Sequence, residues 1–449
     1  MHTSEEHQVR LSQLTELLHQ GDLNAVRLVF SECHAAEIAH LLESLPPDER
    51  HLAWELVDHH LDGDVLLHVN DEVRSGLIRN MDQHELVAAT EGLDADDLAD
   101  IIPDLPENVI DEVLKAMDEQ NRHRLESILK FPEDTAGGLM NVDAITVRPE
   151  VSLEVVQRYL KIHETMPEMT DNLYVVDRDD RYLGALPLID ILVRDGKLKV
   201  EEVMDPSYVS IDVTMPAHDV AVLFERRNLI TAPVLDAQQR LMGRVTIDDV
   251  VDVIRDEADH SFMSRAGLDE EDDMFAPVVR STRRRSVWLG INLLTALLAS
   301  WVIGLFDATI EKLVALAVLM PVVASMGGIA GSQTLTIVVR GIALGQVVDN
   351  NAKQLLRKEL AVGGLNGVIW AVVIAFVAYY WFDSVTLGVV IGLAILFNLI
   401  VAAFAGATIP LLLRRFGADP ALAGGVVLTT VTDVVGFFTF LGMAALFLV

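Results

Sequence analysis

The 449-residue chain holds a single cysteine, Cys33, which excludes an intramolecular disulfide and any thiolate metal cluster. Cys33 reads as a small buried hydrophobe. Bases are scarce as well: 34 Lys and Arg stand against 67 Asp and Glu, a formal net charge of −33. Nucleic-acid phosphates need Lys and Arg, so that class of partner is excluded. The first 30 residues lack an apolar core followed by a small-residue cleavage site, and the N-terminal half is expected in the cytosol. No Walker loop, zinc-ligand motif or nucleophile elbow is present, so no enzymatic activity is expected.

What is there comes in two materials. Mean hydropathy is +0.34 in spite of the charge. The acid lies mostly in residues 1–280, and long apolar runs fill 287–449. Length suggests about three domains. The acidic excess fits a solvated surface in a salt-adapted organism or a surface that collects divalent cations. Composition does not separate the two.

Five apolar segments, 287–306, 313–338, 361–382, 385–413 and 421–448, are each close to the roughly 20 residues that span a bilayer. Arg280, Arg283, Arg284 and Arg285 precede the first segment. Arg340, Lys353, Arg357 and Lys358 separate the second from the third, and Arg414 and Arg415 the fourth from the fifth. The positive-inside rule then places the N-terminus in the cytosol and the C-terminus outside, in a multi-pass protein of the cell inner membrane.

Within those segments one charged residue occurs, Asp433. A charge at that depth costs at least about 2.5 kcal/mol, so it normally faces a cavity or a partner. Gly425, Thr429, Thr432, Asp433 and Gly436 share an arc of roughly 100° on a helix. The arc reads as the lining of a cation path; the alternative is a protonated acid bonded to a neighbouring helix. The second segment carries Pro321, Gly327, Gly328, Gly331, Ser332 and Gln333. Such residues break or kink helices, and freed carbonyls at membrane depth bind cations. Here the alternative is close helix packing. Asn366 and Asn398 either bond between helices or line the path.

The cytoplasmic half repeats itself twice. AEIAHLLESLPPDE (36–49) aligns without gaps with DDLADIIPDLPENV (96–109), which predicts a helical solenoid over 1–131. Asp96 and Asp100 fall on one helix face, where like charges repel unless a cation lies between them; a start capped by Asp94 or Asp96 and otherwise solvated is the other reading. LYVVD (173–177), YLGA (182–185) and LPLID (186–190) then return as APVLD (232–236), LMGR (241–244) and VTIDD (245–249). Each copy reads as strand, turn, strand and a helix opening at an acid. Beyond the second copy, Asp249, Asp252, Asp256 and Asp259 recur on one helix face.

The repeated α/β units of 132–256 resemble a tandem CBS pair, which often binds adenine nucleotides. The resemblance implies that Asp190 and Asp249 sit where an acid commonly holds a ribose hydroxyl, and so implies ATP as a ligand. Pro187 stands where Ser or Thr is usual, and Asn228-Leu229-Ile230 offers no ring for an adenine.

The whole chain resembles the MgtE-type magnesium channels. FPEDTAGGLM (131–140), VTIDDVVDVI (245–254), PVVASMGGIAGSQ (321–333) and LTTVTDVVGFF (428–438) carry the likeness. It implies a multidomain membrane protein: a superhelical N domain (1–131), tandem α/β CBS domains (132–256), a connecting plug helix (257–286) and a five-helix transmembrane domain (287–449). It further implies a homodimer in lipid in which Asp433 of each copy holds a hydrated Mg²⁺, with Gly328, Gly331, Thr429 and Thr432 beside it. Asp96, Asp100, Asp249, Asp252, Glu257 and Asp259 would bind regulatory Mg²⁺ that shuts the pore. The family usually reads Gly-Gly-Asn-x-Gly-Asn-Gln where this chain has Gly327-Gly328-Ile329-Ala330-Gly331-Ser332-Gln333. That loss of two amides raises the alternative of a broader divalent channel (Mn²⁺, Co²⁺, Ca²⁺). A membrane-anchored metal or nucleotide sensor without transport is the third reading.

Overall fold

Prolines and caps set where the cytoplasmic helices begin. In the computed structural model, which describes every residue except 1, 92, 94, 118, 163–165, 168, 269–272, 349 and 449, Pro46 and Pro106 occupy equivalent N-caps. They open helices Pro47–Trp54 and Glu107–Ala116, each following a partner helix, Ala35–Glu43 or Ala95–Ile101. The aligned repeats thus fold alike. Contacts divide the chain into two units, Met1–Asp259 with Glu271–Ala276, and His260–Glu270 with Pro277–Val449.

The first unit contains two three-stranded sheets of identical topology. β1 (Thr146–Val147) runs parallel to β2 (Asn172–Val176), which pairs antiparallel with β3 (Tyr182–Pro187). β4 (Ile211–Asp212), β5 (Thr231–Leu235) and β6 (Leu241–Thr246) repeat the pattern. The second copy shares one apolar core with the N-terminal helices, through Ile211, Val220, Phe224, Val234 and Val245. The first copy keeps its own core around Leu153, Leu173, Val175 and Leu186.

The 131–140 linker joins the N-terminal helices to the second copy. Ala136 N donates to the Met215 carbonyl at 2.7 Å and Gly137 N to Val213 at 2.9 Å. A Cβ at Gly137 would lie 2.5 Å from the Phe131 ring, and one at Gly138 2.6 Å from the Pro132 carbonyl. Only glycine admits that approach.

Residues 257–286 do not form the single connecting helix expected. Helix Ile247–Met263 ends in a 3₁₀ turn, Ser264–Ala266, and the next helix, Val278–Gly304, starts after Pro277. Gly267 takes the left-handed conformation that halts the first helix, and Pro277 caps the second.

Among the described residues, five helices are long and apolar enough to cross a membrane: Val278–Gly304, Ala315–Ala343, Ala352–Phe382, Val385–Arg415 and Pro420–Phe447, here spans one to five. Span two corrects a second expectation, because it is helical from end to end with Pro321 inside. Gly327 and Gly331 are notches for neighbours, not breaks: a Cβ at Gly327 would strike Asn398, and one at Gly331 would strike Leu428. Span four is the central helix, buried along Leu387, Ile391, Ile395, Ala402 and Gly406. Gly363, Gly367, Gly388 and Gly392 let spans three and four approach closely.

Candidate cation pathway and regulatory acids

Spans two and five pack antiparallel in a steady register. Gly331 meets Leu428, Leu335 meets Gly424, and Val323 meets Gly436. Asp433 therefore lies level with Met326–Gly328 on span two. It is partly exposed, and no hydrogen-bond or ion-pair partner joins it among the described residues. Thr429 lies one turn away and is exposed, its hydroxyl donating to the Gly425 carbonyl at 2.9 Å.

The polar arc around Asp433 is narrower than the helical spacing predicts. Thr432 is fully buried and donates to the Thr429 carbonyl at 3.0 Å. Gly436 is buried against Asn398. Gly331 is buried under Leu428, and its carbonyl faces Gly406. These three are packing positions within one chain, which removes Gly331 and Thr432 as ion contacts. Gly328 differs: a Cβ there would meet nothing. With Ser332, Gln333 and Thr336, and flanked by Ile329 and Ile337, it lines a shallow, largely apolar groove on span two.

One acid escaped the sequence reading. Glu359 is 3% exposed, two residues before the apolar segment assigned to span three. Lys358 Nζ donates to it at 2.8 Å and Thr334 Oγ1 at 3.3 Å. The signal was available: Glu359, Gly363 and Gly367 share one helix face, and all three are buried.

Among the regulatory candidates, Asp249 opens helix Ile247–Met263 and accepts from Thr246 Oγ1 at 2.8 Å. Burial, reinforced by Asp248 and Asp97, pushes its carboxyl up to about 7. Asp97 comes from the N-terminal helix Ala95–Ile101, so the two acidic helices face each other. Asp100 is also raised to about 7, by the protein packed around it against the pull of Arg74. Its outer surface stays open, so the shift reflects crowding short of full enclosure. Asp96 belongs to the same helix, but its side chain, like Asp94, falls outside the described residues.

Farther along the helix the acids already have partners. Asp252 lies 3.5 Å from Arg255 and close to His68, whose imidazole burial holds below its ordinary value. Glu257 meets His218 Nδ1 at 2.6 and 2.7 Å. Asp259 is exposed. Among the described residues no three His, Cys, Asp or Glu side chains converge into a metal cage. A cation here would be held by acids from facing helices and by its own water, the mode Mg²⁺ favours. In the first α/β copy, Asp190 pairs with Arg194 at 3.0 Å.

Comparison with known proteins shows the family. The profile described as a divalent cation transporter, MgtE, matches residues 320–443; the MgtE intracellular N domain matches 33–134, and CBS domains match 136–195 and 200–256. The magnesium transporter MgtE of Thermus thermophilus is 30% identical over 440 residues, covering 97% of this chain and 98% of that one. That of Bacillus subtilis is 26% identical over 434 residues, 96% of each. A solved cytosolic domain of the Mg²⁺ channel MgtE in complex with ATP aligns at 31% identity over 54% of this chain and 99% of that one, with a TM-score of 0.49. The chain belongs to the MgtE family of magnesium transporters.

Proposed function

We propose that this protein is a homodimeric Mg²⁺ channel of the cell inner membrane, with its C-terminus outside, closed by cytosolic Mg²⁺. The observation that carries the reading is Asp433: a membrane-depth carboxylate, partly exposed on one chain, without a charged partner among the described residues. A second copy supplies what it lacks. Two such acids, with Thr429 and the open groove at Gly328 beside them, hold a cation that keeps most of its water. Mg²⁺ dehydrates reluctantly, and a wide, weakly liganded site suits it better than a dense cage.

Closure rests on the facing acids. Mg²⁺ between Asp96, Asp100, Asp249 and Asp252 favours the arrangement in which the N-terminal helices and helix Ile247–Met263 stay together; Glu257 and Asp259 extend the stripe. Only such a difference in affinity between two arrangements can shift their populations. When the ions leave, like charges repel and helix Ile247–Met263 is released. Near its end, His260 lies 3.2 Å from Asp419, the N-cap of span five. Movement of that helix therefore reaches the span that carries Asp433.

ATP at the CBS pair would meet Asp190 and, beside it, Arg194, an acid for ribose and a base for phosphate. Loss of ATP binding in Asp190→Ala checks that assignment. Ile329 and Ser332 favour keeping one second reading, a divalent channel that also passes Mn²⁺, Co²⁺ or Ca²⁺. Flux of each ion into liposomes tests the proposal. Wild type should pass Mg²⁺, and Asp433→Ala should fall to the level of empty vesicles while cytosolic Mg²⁺ binding persists. Equal Ca²⁺ and Mg²⁺ flux would defeat selectivity. Cellular metal uptake unchanged by Asp433→Ala would leave only a membrane-anchored sensor.

A further inference from the structure

We infer that Asn398 is a positioning residue that sets the spacing between the two halves of the cation path, an inference that rests on the pore reading above. Asn398 belongs to central span four and is 1% exposed. Its Nδ2 donates to the Val323 carbonyl of span two at 3.0 Å. The opposite amide orientation would set two carbonyl oxygens against each other, which fixes the donor on Val323.

Two glycines from two other helices are cleared around this one amide. A Cβ at Gly327 of span two would lie 2.3 Å from Nδ2, and a Cβ at Gly436 of span five would lie 2.7 Å from it. Neither could be accommodated without displacing the amide or one of the helices that carry the glycines. The amide therefore works as a spacer: span two approaches from one side, span five from another, and the polar group between them fixes how close they come. Gly327 adjoins Gly328, and Gly436 lies one turn beyond Asp433. The separation that Asn398 enforces is thus the separation of the groove from the acid.

A second feature distinguishes Asn398 from a simple packing residue. Its Oδ1 is buried and has no hydrogen-bond partner among the described residues. An apolar side chain of similar size would avoid that cost. Here the donor and the shape of the amide are both used, and the donor ties span four to span two near the depth of Asp433.

The test uses full-length protein in liposomes, with Mg²⁺ and Ca²⁺ flux normalised to folded protein by fluorescence-detected size exclusion. Wild type and Asp433→Ala come first; a wild type that passes no Mg²⁺ overturns the pore reading itself. Given a conducting wild type, Asn398→Ala should change the Mg²⁺:Ca²⁺ flux ratio by about tenfold, and Gly436→Ala should lower Mg²⁺ flux by a similar factor. The double variant Asn398→Ala/Gly436→Ala, in which the added methyl occupies space left by the amide, should recover flux relative to Gly436→Ala alone. Loss of thermal stability with flux and ratio unchanged in both single variants would overturn the inference and leave the pore reading intact. If Asn398→Ala does not fold, Gly327→Ala and Gly436→Ala carry the test, because each pushes on the same amide from a different helix. Unchanged flux and ratio in both would equally overturn it.

Discussion

Asp249 and Asp100 carry raised carboxyl values of about 7, which makes their charge, and any cation they hold, depend on pH near neutrality. An aspartate in an unfolded chain titrates near 3.9. The folded state therefore binds protons more tightly, and the stability this provides is complete below about pH 4 and is lost as pH rises to about 7. Above that, both acids are charged, Asp249 beside Asp248 and Asp97, and Asp100 beside Asp97. On the regulatory reading proposed above, a divalent cation would take over the role of the protons and its binding would release them. We expect the Mg²⁺ midpoint for protease protection of the cytoplasmic unit to rise by up to about tenfold for each proton released as pH falls from 7 to 6. A midpoint constant between pH 6 and 8 would show that these two acids are not ligands. Asp249→Asn should flatten the pH dependence and weaken protection at pH 8.

At the scale of elements, the segment before span one is tied to the N-terminal helices by a buried charge pair. Arg50 meets Asp273 through two bonds, 2.7 and 2.9 Å, with the two side chains 7% and 6% exposed. The same guanidinium donates to the Leu42 and Leu45 carbonyls, so it also ends helix Ala35–Glu43. Asp273 Oδ1 in turn accepts from Phe275 N at 2.9 Å. Removing one member of a buried pair strands the other and typically costs about 3–5 kcal/mol. Arg50→Ala should therefore speed amide exchange at Phe275 sharply and lower the melting temperature, whereas Arg50→Leu/Asp273→Leu, which also removes the Phe275 acceptor, should restore much of the melting temperature alone. Equal exchange in wild type and Arg50→Ala would contradict a structural role for the pair.

The same elements show what a sequence can and cannot disclose. The 36–49 and 96–109 repeats, the two α/β copies and the five apolar stretches were legible because each is a periodic pattern that local physics enforces. Span two was misjudged because Pro321 and the glycines weaken a helix locally, while the neighbours that make it continuous, Asn398, Leu428 and Gly406, lie far away in sequence. Thr432 and Gly331 were placed on the path for a related reason. Helical phase puts Thr432 near Asp433, and only packing decides that Thr432 turns inward while Thr429 turns out. Arg50 and Asp273 could not be matched at all, since nothing local links residues 223 positions apart.

Across the whole molecule, one proposal ties the parts together: two copies bring their Asp433 side chains to a common aqueous axis. The chain offers a convenient probe, because Cys33 is its one cysteine and is buried. In a Cys33→Ser background, Asp433→Cys leaves a single reporter thiol at membrane depth. Exposure of membranes to a short bifunctional thiol reagent, followed by denaturing electrophoresis, reads the distance between copies. A covalent dimer, formed more slowly in high Mg²⁺, is the predicted result. Thiols that react with a water-soluble monofunctional reagent yet yield only monomer with the bifunctional one would contradict the shared pore.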